Sequence, residues 1–282
     1  MSKRTGLASL ALALWCAAGL PETSYAVDPF ENRANPPATY FSMYPSSYHA
    51  SDIMDNSGKS TGVNPGLTSW QDSLRLTYYN RTTFSNTWAA TVLLPTGRKE
   101  MFNDQSRGIG DITTGLSYWP VDVPDQNTWI GGGVYLDVPV GEYDSAKRAN
   151  LGANVWKLRP TLLIARQSGG VSMDLSLKYN IYSKNKATST KEGSEVIAES
   201  CFGYFVRPDI LIGGLFNGVF GENRVKNGIE LDATGLRRYQ AGPTFFWRPY
   251  PGFGVTLNML VDLEVENSVK GRLVISRLSW KL

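Results

Sequence analysis

The chain has 282 residues, 42% of them hydrophobic, and its 28 basic and 25 acidic side chains leave a net charge of +3. So small a positive excess excludes a nucleic-acid-binding protein, because such proteins concentrate basic residues on one surface. Beyond residue 26 no stretch approaches the run of about 18 apolar residues that a transmembrane helix needs, which excludes a helical membrane protein.

The first 26 residues have the layout of a secretory signal peptide. Lys3 and Arg4 precede an apolar stretch over residues 7–20, and a small-residue cleavage site ends at Ala26. We therefore expect export to the periplasm and cleavage after Ala26. Cleavage leaves Cys201 as the one remaining cysteine, so an intramolecular disulfide is excluded for the mature chain.

Residues 27–37 read VDPFENRANPP and are rich in proline and polar side chains. Such a composition does not form a regular helix or strand. Two interpretations stay open: the segment hangs in the periplasm, or it enters the domain that follows as a plug.

Residues 171–181 alternate strictly between apolar and polar side chains, and residues 253–266 repeat the pattern. A period of two predicts β-strands with one apolar face. Similar patterns predict about twelve strands near residues 38–49, 70–80, 84–94, 109–119, 127–140, 155–167, 170–182, 192–206, 209–220, 236–247, 253–266 and 269–282.

Long polar links alternate with short ones between these strands. The long links cover residues 50–69, 95–108, 141–154, 183–191 and 221–235, and the link at Asn267-Ser268 is a short exception. This asymmetry is typical of outer-membrane barrels, which have long loops outside and tight turns in the periplasm. The sequence therefore predicts an all-β fold, an antiparallel up-and-down transmembrane β-barrel of about twelve strands over residues 38–282.

Aromatic side chains collect near the predicted periplasmic turns, which is typical of an interfacial girdle. The predicted members are Tyr78, Phe84, Trp88, Tyr118, Trp129, Phe202, Tyr204, Trp247, Tyr250, Phe253 and Trp280. The competing structure is a water-soluble barrel or sandwich with its apolar face inward. A closed ring of a dozen strands is too wide to fill with side chains, which favours the membrane barrel.

Charged side chains on the polar faces are the candidates for lining the lumen. They are Asp174, Lys178, Glu195, Glu199, Arg238, Arg248, Asp262 and Glu264. The turn at residues 249–252 is predicted to bring Arg238 close to Asp262 or Glu264. Two roles stay open for these groups, an ion-pair network that props the barrel shut and a transport pathway.

Three consecutive glycines, Gly131 to Gly133, interrupt a predicted strand. Glycine within a strand marks a bulge or a close backbone approach, so we expect either a bend that closes the barrel or a lateral opening.

No residue pattern indicates catalysis. The single histidine, His49, has no neighbouring nucleophile and carboxylate, and no Cys/His cluster could bind a metal. We therefore predict that the protein is not an enzyme and needs no cofactor or metal.

Four blocks carry a resemblance to a known family: PPATYFSMYPSSY, GIGDITTGLSYWP, YLDVPVGEYDSAKRANLGANVWKLRPTLLIA and YQAGPTFFWRPY. Over nearly the whole mature chain the sequence resembles the MetA-pathway of phenol degradation family. The resemblance implies an outer-membrane barrel of Gram-negative bacteria that admits aromatic or other hydrophobic compounds. The chain departs from most outer-membrane barrels in ending on Leu282 rather than on phenylalanine.

The expected function is thus an outer-membrane channel for small hydrophobic, phenol-like compounds. The expected partners are outer-membrane lipid, these solutes and the barrel-assembly machinery. The alternative is a structural or partner-binding barrel that transports nothing. A lumen blocked from end to end would favour the alternative, and a continuous bore or side gap would favour the channel.

Overall fold

The computed structural model describes residues 28–83 and 85–282. The leader predicted over residues 1–26, together with Val27 and Phe84, lies outside the described residues. In chain order the strands are β1 (Ala38–Ile53), β2 (Leu67–Arg81), β3 (Thr87–Met101), β4 (Asp104–Ile109), β5 (Ile112–Val123), β6 (Thr128–Val138), β7 (Lys157–Ser168), β8 (Val171–Tyr182), β9 (Thr190–Lys191), β10 (Glu195–Arg207), β11 (Ile210–Gly221), β12 (Arg224–Lys226), β13 (Ile229–Leu231), β14 (Arg237–Tyr250), β15 (Phe253–Glu266) and β16 (Val269–Lys281).

The long strands form a closed antiparallel ring in which neighbours in sequence are neighbours in space. The first strand, β1, pairs with the last, β16, from Tyr40 opposite Lys281 to Ile53 opposite Val269. Because the ring is closed, each long strand is paired on both edges, as a membrane-spanning sheet requires, whereas the short β4 pairs with β3 alone. The prediction of a twelve-stranded barrel is confirmed once β4 and β5 are counted as one barrel strand, since both pair with β3.

The two ends of the barrel differ in their connections. Short turns join β2 to β3, β5 to β6, β7 to β8, β10 to β11 and β14 to β15 at one end, here called the turn end. Both β1 and β16 have their outer termini there. The long links lie at the opposite end, the loop end. In the described residues the one helical element is a 3-10 turn, Pro124–Gln126, and no helix of that part of the chain has the length and apolar character needed to cross a membrane.

Two of the links predicted to be long loops contain β-hairpins, and a third, residues 183–191, contains the short β9, which pairs with β12. The prediction of a polar loop over residues 95–108 is wrong, because β3 continues to Met101 and turns back as β4 through Phe102 and Asn103. Both turn residues have positive φ, 50° and 73°, as a two-residue hairpin turn requires. The link over residues 221–235 likewise contains the β12–β13 hairpin, which turns at Asn227-Gly228.

The ring strand formed by β4 and β5 is interrupted at Gly110-Asp111, and Asp111 holds the loops around the break. Its carboxylate accepts hydrogen bonds from the backbone N–H of Gly141 at 2.9 Å and of Ala153 at 2.8 Å. The long link between β6 and β7 is thereby tied to the barrel wall beside the break.

The glycines of β6 do not open the wall. Gly131, Gly132 and Gly133 stay in register with β5 or β7 on either side, apart from a bulge in β5 between Tyr118 and Val121. Instead Gly131 and Gly133 make room for rings inside the barrel: a Cβ on Gly131 would lie 2.6 Å from the Trp119 ring, and one on Gly133 would lie 2.9 Å from the Tyr135 ring. These two glycines therefore admit bulky side chains into the lumen.

Candidate functional site

The strand faces are oriented as in a membrane barrel. Leu177 and Val261 are 48% and 49% exposed on the outer wall, whereas Asp174 and Asp262 face inward and are 0% and 6% exposed. The apolar face therefore points away from the enclosed space, which overturns the soluble alternative. Of the predicted girdle residues described, Trp129 differs: its side chain is buried and packs inside the barrel.

Three of the predicted lumen residues lie together on β8 and β10. The Lys178 ammonium lies 2.5 Å from Glu199 Oε2, and the Ser176 hydroxyl donates to the same carboxylate at 2.9 Å. Glu195 lies nearer the loop end, where it accepts hydrogen bonds from Asn180 and from the Tyr182 hydroxyl at 3.0 and 2.6 Å. Each of these charges is held by neighbours on the wall itself.

A second cluster joins Arg238 to Asp262, with 3.5 Å between Nε and Oδ1. The Asp262 carboxylate also accepts hydrogen bonds from the Tyr48 hydroxyl at 2.8 Å and from the Gln240 amide at 2.9 Å. The backbone N–H of Gly271 donates to it at 2.7 Å. These contacts tie β1, β14, β15 and β16 together across the inner wall.

The prediction that Glu264 lines the lumen is wrong. Tyr239 lies opposite Glu264 but Gln240 lies opposite Asp262, so Leu263 is an extra residue in β15. A β-bulge of this kind shifts the alternation by one residue. As a result Glu264 is exposed on the outside, and Val265 takes the buried inward position.

Arg248 lies at the mouth of the turn end. Its side chain is exposed, and its guanidinium stands 5.5 Å from the ring centres of Phe30 and Phe246. A register shift after Trp247 places it on the rim, so it contacts the lumen contents from the edge and does not line the interior.

Residues 28–37, the amino-terminal segment, lie inside the turn-end half of the lumen. Asp28, Pro29, Asn32 and Arg33 are buried, and only Pro36 and Pro37 at its end are exposed. Of the two interpretations left open by the sequence, the structure places this segment within the barrel as a plug.

Two ion pairs fix the start of the amino-terminal segment to the wall. Asp28 lies 3.4 Å from the Arg277 Nε and accepts a hydrogen bond from the Asn258 amide. Glu31 forms an ion pair with Arg75 on β2. Arg277 also donates to the Pro29 carbonyl at 2.8 Å, and both acidic side chains of the segment are met by arginines of the wall.

Asn32 and Arg33 reach the opposite side of the ring. The Asn32 amide donates to the Leu175 carbonyl at 2.6 Å, and the Trp119 indole N–H donates to the Asn32 carbonyl at 2.9 Å. Arg33 donates to Gln167 at 3.0 Å and to Ser172 at 2.8 Å.

Aromatic contacts also hold the amino-terminal segment in the lumen. The Phe30 ring lies 4.6 Å from the ring of Phe246 and 5.8 Å from that of Phe205. The Arg33 guanidinium lies 4.2 Å from the Phe30 ring centre and 4.9 Å from the Trp129 ring centre, within the range of a cation–π contact. The segment is thus packed as well as hydrogen-bonded.

The two acidic groups of the segment respond differently to their burial. Burial raises the pKa of Asp28 to about 6, although the nearby Arg277 opposes the shift. For Glu31 burial acts in the same direction, but the guanidiniums of Arg75 and Arg277 outweigh it and the pKa is lowered. The seated segment therefore holds one carboxyl group that takes up a proton near neutral pH and one that stays ionised.

A cavity of about 410 Å³, the vestibule, occupies the loop-end half of the lumen. Its inner end is formed by Tyr48, Gln240 and Leu273, and its sides carry Tyr182 and Lys157. Its size falls within the ~300–1,000 Å³ typical of small-molecule sites. Lys157 is neutralised by Asp137, whose carboxylate lies 2.5 Å away.

The arginines that hold the amino-terminal segment are absent from the sequence-based site. Arg75 stands between Leu74 and Leu76, and Arg277 stands between Ser276 and Leu278. A lone charge at the polar phase of a strand is the signal that would have found Arg75. Arg277 follows Leu273 and Ile275 on the same buried face, so the alternation gives no such signal for it.

His49 lies on the outer face of β1 near the loop end. Its Nδ1 is 3.3 Å from the Thr68 hydroxyl, and its ring packs edge-on against Trp70. Within residues 28–83 and 85–282, no group of three or more His, Cys, Asp or Glu side chains is placed to hold a metal ion.

A closed ring with apolar outer and polar inner faces, and a lumen holding a cavity and a plug, is the fold of an outer-membrane β-barrel. The family model described as "Putative MetA-pathway of phenol degradation" matches residues 50–278. The chain belongs to this family.

Solved structures show the same fold. The COG4313 outer membrane channel from Pseudomonas putida F1 is similar with a TM-score of 0.83 and 23% identity, over 91% of this chain and 100% of that one. The translocator domain of the autotransporter NalP from Neisseria meningitidis has a TM-score of 0.54 and 9% identity, over 88% and 89% of the two chains. The NanC porin has a TM-score of 0.51 and 10% identity, over 86% and 100%. A search of curated proteins returns no match.

Proposed function

We propose that the protein is an outer-membrane channel that admits small hydrophobic compounds, aromatic ones among them, by passive diffusion. Its leader would direct export to the periplasm, and the barrel-assembly machinery would insert the barrel with its loop end outward. Family membership and the similarity in fold to an outer membrane channel support this proposal. The solute would need no cofactor and undergo no reaction.

The vestibule is the observation that carries the proposal. It is enclosed by the barrel at the loop end and combines aromatic and aliphatic side chains, such as Tyr48 and Leu273, with polar groups, such as Gln240. The rest of the lining is largely polar and charged, as at Lys157 and Glu195, so the aromatic and aliphatic side chains offer apolar contacts within a polar chamber. Such a mixture suits a solute with an apolar ring and one polar substituent. A solute entering from outside would meet the vestibule before any other part of the lumen.

The amino-terminal segment limits how far a solute can pass along the lumen. It fills the turn-end half of the lumen, and the wall beside Gly131 to Gly133 stays paired. Passage along the axis therefore requires that this segment move aside. The proposed channel function therefore depends on a segment that can move. A segment that never moves favours the alternative, a barrel that binds a partner through its loops and transports nothing.

Uptake by intact cells tests the channel. We would compare a strain lacking the gene with strains that carry the wild-type protein or a variant with a filled vestibule, Ala146→Trp with Ala153→Trp. Both alanines are exposed and line the vestibule. Asn56→Trp, at an exposed loop position outside the vestibule, is the matched control.

We expect uptake of phenol and short alkylbenzenes to fall at least about threefold in the deletion strain. The wild type and the Asn56→Trp control should restore uptake, and the filled variant should not. Equal uptake in all four strains across a broad panel of hydrophobic solutes would refute the channel and leave the partner-binding barrel.

A further inference from the structure

Basic side chains gather on the outer wall near the loop end, on a surface that the lumen does not use. Cross-strand pairing sets Ser47 of β1 opposite Trp70 of β2, Trp70 opposite Arg98 of β3, and Arg98 opposite Arg107 of β4. Arg272 of β16 lies opposite His49 on the neighbouring row. We call Arg98, Arg107 and Arg272, together with Trp70, the outer basic patch.

All four side chains of the outer basic patch are exposed, and Trp70 is 57% exposed. A groove of about 710 Å³ is lined by three of them, Trp70, Arg98 and Arg107, along with small residues of β1 such as Ser47. The groove therefore presents an aromatic ring and two guanidinium groups on the membrane-facing surface.

The charges of the patch are only partly met by the protein. Arg98 forms an ion pair with Glu100. Asp72 lines the turn-end side of the groove but forms no ion pair there, and in the described residues no carboxylate pairs with Arg107 or Arg272. Like charges directly opposite on paired strands, as Arg98 and Arg107 are, destabilise a sheet unless an anion lies between them.

The height of the patch places it at the lipid headgroups. Trp88, in the girdle at the turn end, lies opposite Asn80, and Trp70 precedes Asn80 on β2 by ten residues. At about 3.3 Å a residue and a tilt near 40°, that separation is about 25 Å, the height of the apolar band of a membrane barrel. Between the two rows the outer wall carries Leu74 and Leu76.

We propose that the outer basic patch binds the phosphorylated headgroup of a lipid in the leaflet at the loop end. Arginine forms paired hydrogen bonds with phosphate oxygens, and two opposed arginines offer a cradle for one phosphate group. Trp70 would lie beside the sugar or glycerol at the same depth. An outer-leaflet lipid with phosphate on its headgroup, of the lipid A kind, fits this chemistry.

The test uses the full purified barrel in a neutral detergent and measures bound lipid by native mass spectrometry and by titration. The probes are lipid A with both phosphates, the same lipid after enzymatic removal of its phosphates, and inorganic phosphate alone. Arg98→Gln with Arg107→Gln is the test variant. The matched control, Arg81→Gln with Arg207→Gln, removes two exposed arginines at the turn end.

We expect phosphorylated lipid A to bind the wild type and the control equally, and the test variant at least about tenfold more weakly. Resistance to unfolding in cold detergent would show that each variant is folded. Equal binding by the test variant, or equal binding of the dephosphorylated lipid, would overturn the proposal. So would inorganic phosphate binding as tightly as the lipid, because the site would then recognise a free anion.

Discussion

The two halves of the lumen are enclosed by the same strands but satisfy their charges in different ways. In the loop-end half the wall pairs with itself, as in Lys178 with Glu199 and Arg238 with Asp262. In the turn-end half the wall charges, Arg75 and Arg277, pair with the amino-terminal segment. The loop-end half is therefore complete without the segment, and the turn-end half is not.

This difference separates two roles that the sequence left open for the lumen charges. Wall-to-wall pairs brace the barrel whether or not a solute passes. Wall-to-segment pairs hold a removable part, and breaking one leaves a buried charge without a partner, which is costly. Changes in the two halves should therefore affect different measurements.

Deleting residues 28–35 should have the largest effect, because it removes the contents of the turn-end half and leaves the loop-end pairs intact. We expect ion conductance in planar bilayers to rise at least about tenfold. Pro36→Ser with Pro37→Ser, which changes only exposed residues of the segment, is the control. Unchanged conductance in the deletion variant would show that the amino-terminal segment is not the obstruction.

Asp262→Asn should weaken the loop-end half. The Asp262 carboxylate holds Arg238, Tyr48 and Gln240, so its loss leaves a buried arginine uncompensated. We expect a loss of about 3 kcal/mol in the free energy of unfolding, measured by denaturant titration in detergent. Glu264→Gln, two residues along but on the outer wall, should change it by less than about 0.5 kcal/mol. Equal effects would contradict the bulge in β15.

Arg75→Gln should loosen the turn-end half and leave the barrel wall intact. Glu31 would then lie in the lumen without its ion-pair partner. We expect the binding of the amino-terminal segment to the lumen to weaken by about 2 kcal/mol, less than the ~3–5 kcal/mol lost when a fully buried ion pair is broken. Thiol labelling of a cysteine placed at Pro29 should be more than about tenfold faster. Arg238→Gln, which breaks the wall-to-wall pair with Asp262, should leave the labelling rate unchanged. Equal acceleration would contradict the difference between the two halves.

Acidification should strengthen the binding of the amino-terminal segment in the lumen, and this is the smallest of the expected effects. Burial raises the pKa of Asp28 in the barrel from its ordinary value of 3.8 to about 6, although Arg277 and the hydrogen bond from Asn258 oppose the shift. A proton therefore binds the seated form preferentially between these values, so seating strengthens as pH falls from 7 to 5. Below the ordinary pKa of Glu31, 4.5, protonation removes its pairing with Arg75 and reverses the trend.

The labelling rate is divided by that of a free cysteine peptide at the same pH, because the reactive thiolate becomes scarcer as pH falls. The expected change in this normalised rate between pH 7 and pH 5 is a slowing of up to about tenfold. Asp28→Asn should flatten this part of the profile. A profile of the wild type that stays flat from pH 7 to 5 would show that Asp28 ionises in the lumen as it does in water.

The alternation of apolar and polar residues predicts most of the barrel strands. It fails at two places where the backbone departs from the regular pairing of straight strands. Alternation over residues 253–266 placed Asp262 on the inner face but misplaced Glu264, because one extra residue in β15 reverses the phase without leaving a composition signal. The hairpin from β3 to β4 was missed because Phe102-Asn103 is not one of the glycine-containing turns that mark tight hairpins.

The seating of the amino-terminal segment could not be read from its own residues. Asp28, Glu31 and Arg33 form a short polar stretch that is equally compatible with solvent. Their partners, such as Arg277 and Ser172, lie far along the chain, and only closure of the ring brings them together. Long-range pairing of this kind has no local signature in one sequence.

The amino-terminal segment starts inside the barrel, since Asp28 is buried against β15 and β16. Any polypeptide fused ahead of Asp28 would have to share the bore or leave through its mouth, and a bulky affinity tag there should hinder insertion and dislodge the first residues. Leu282, 71% exposed at the rim, offers a site for a purification handle that does not crowd the interior.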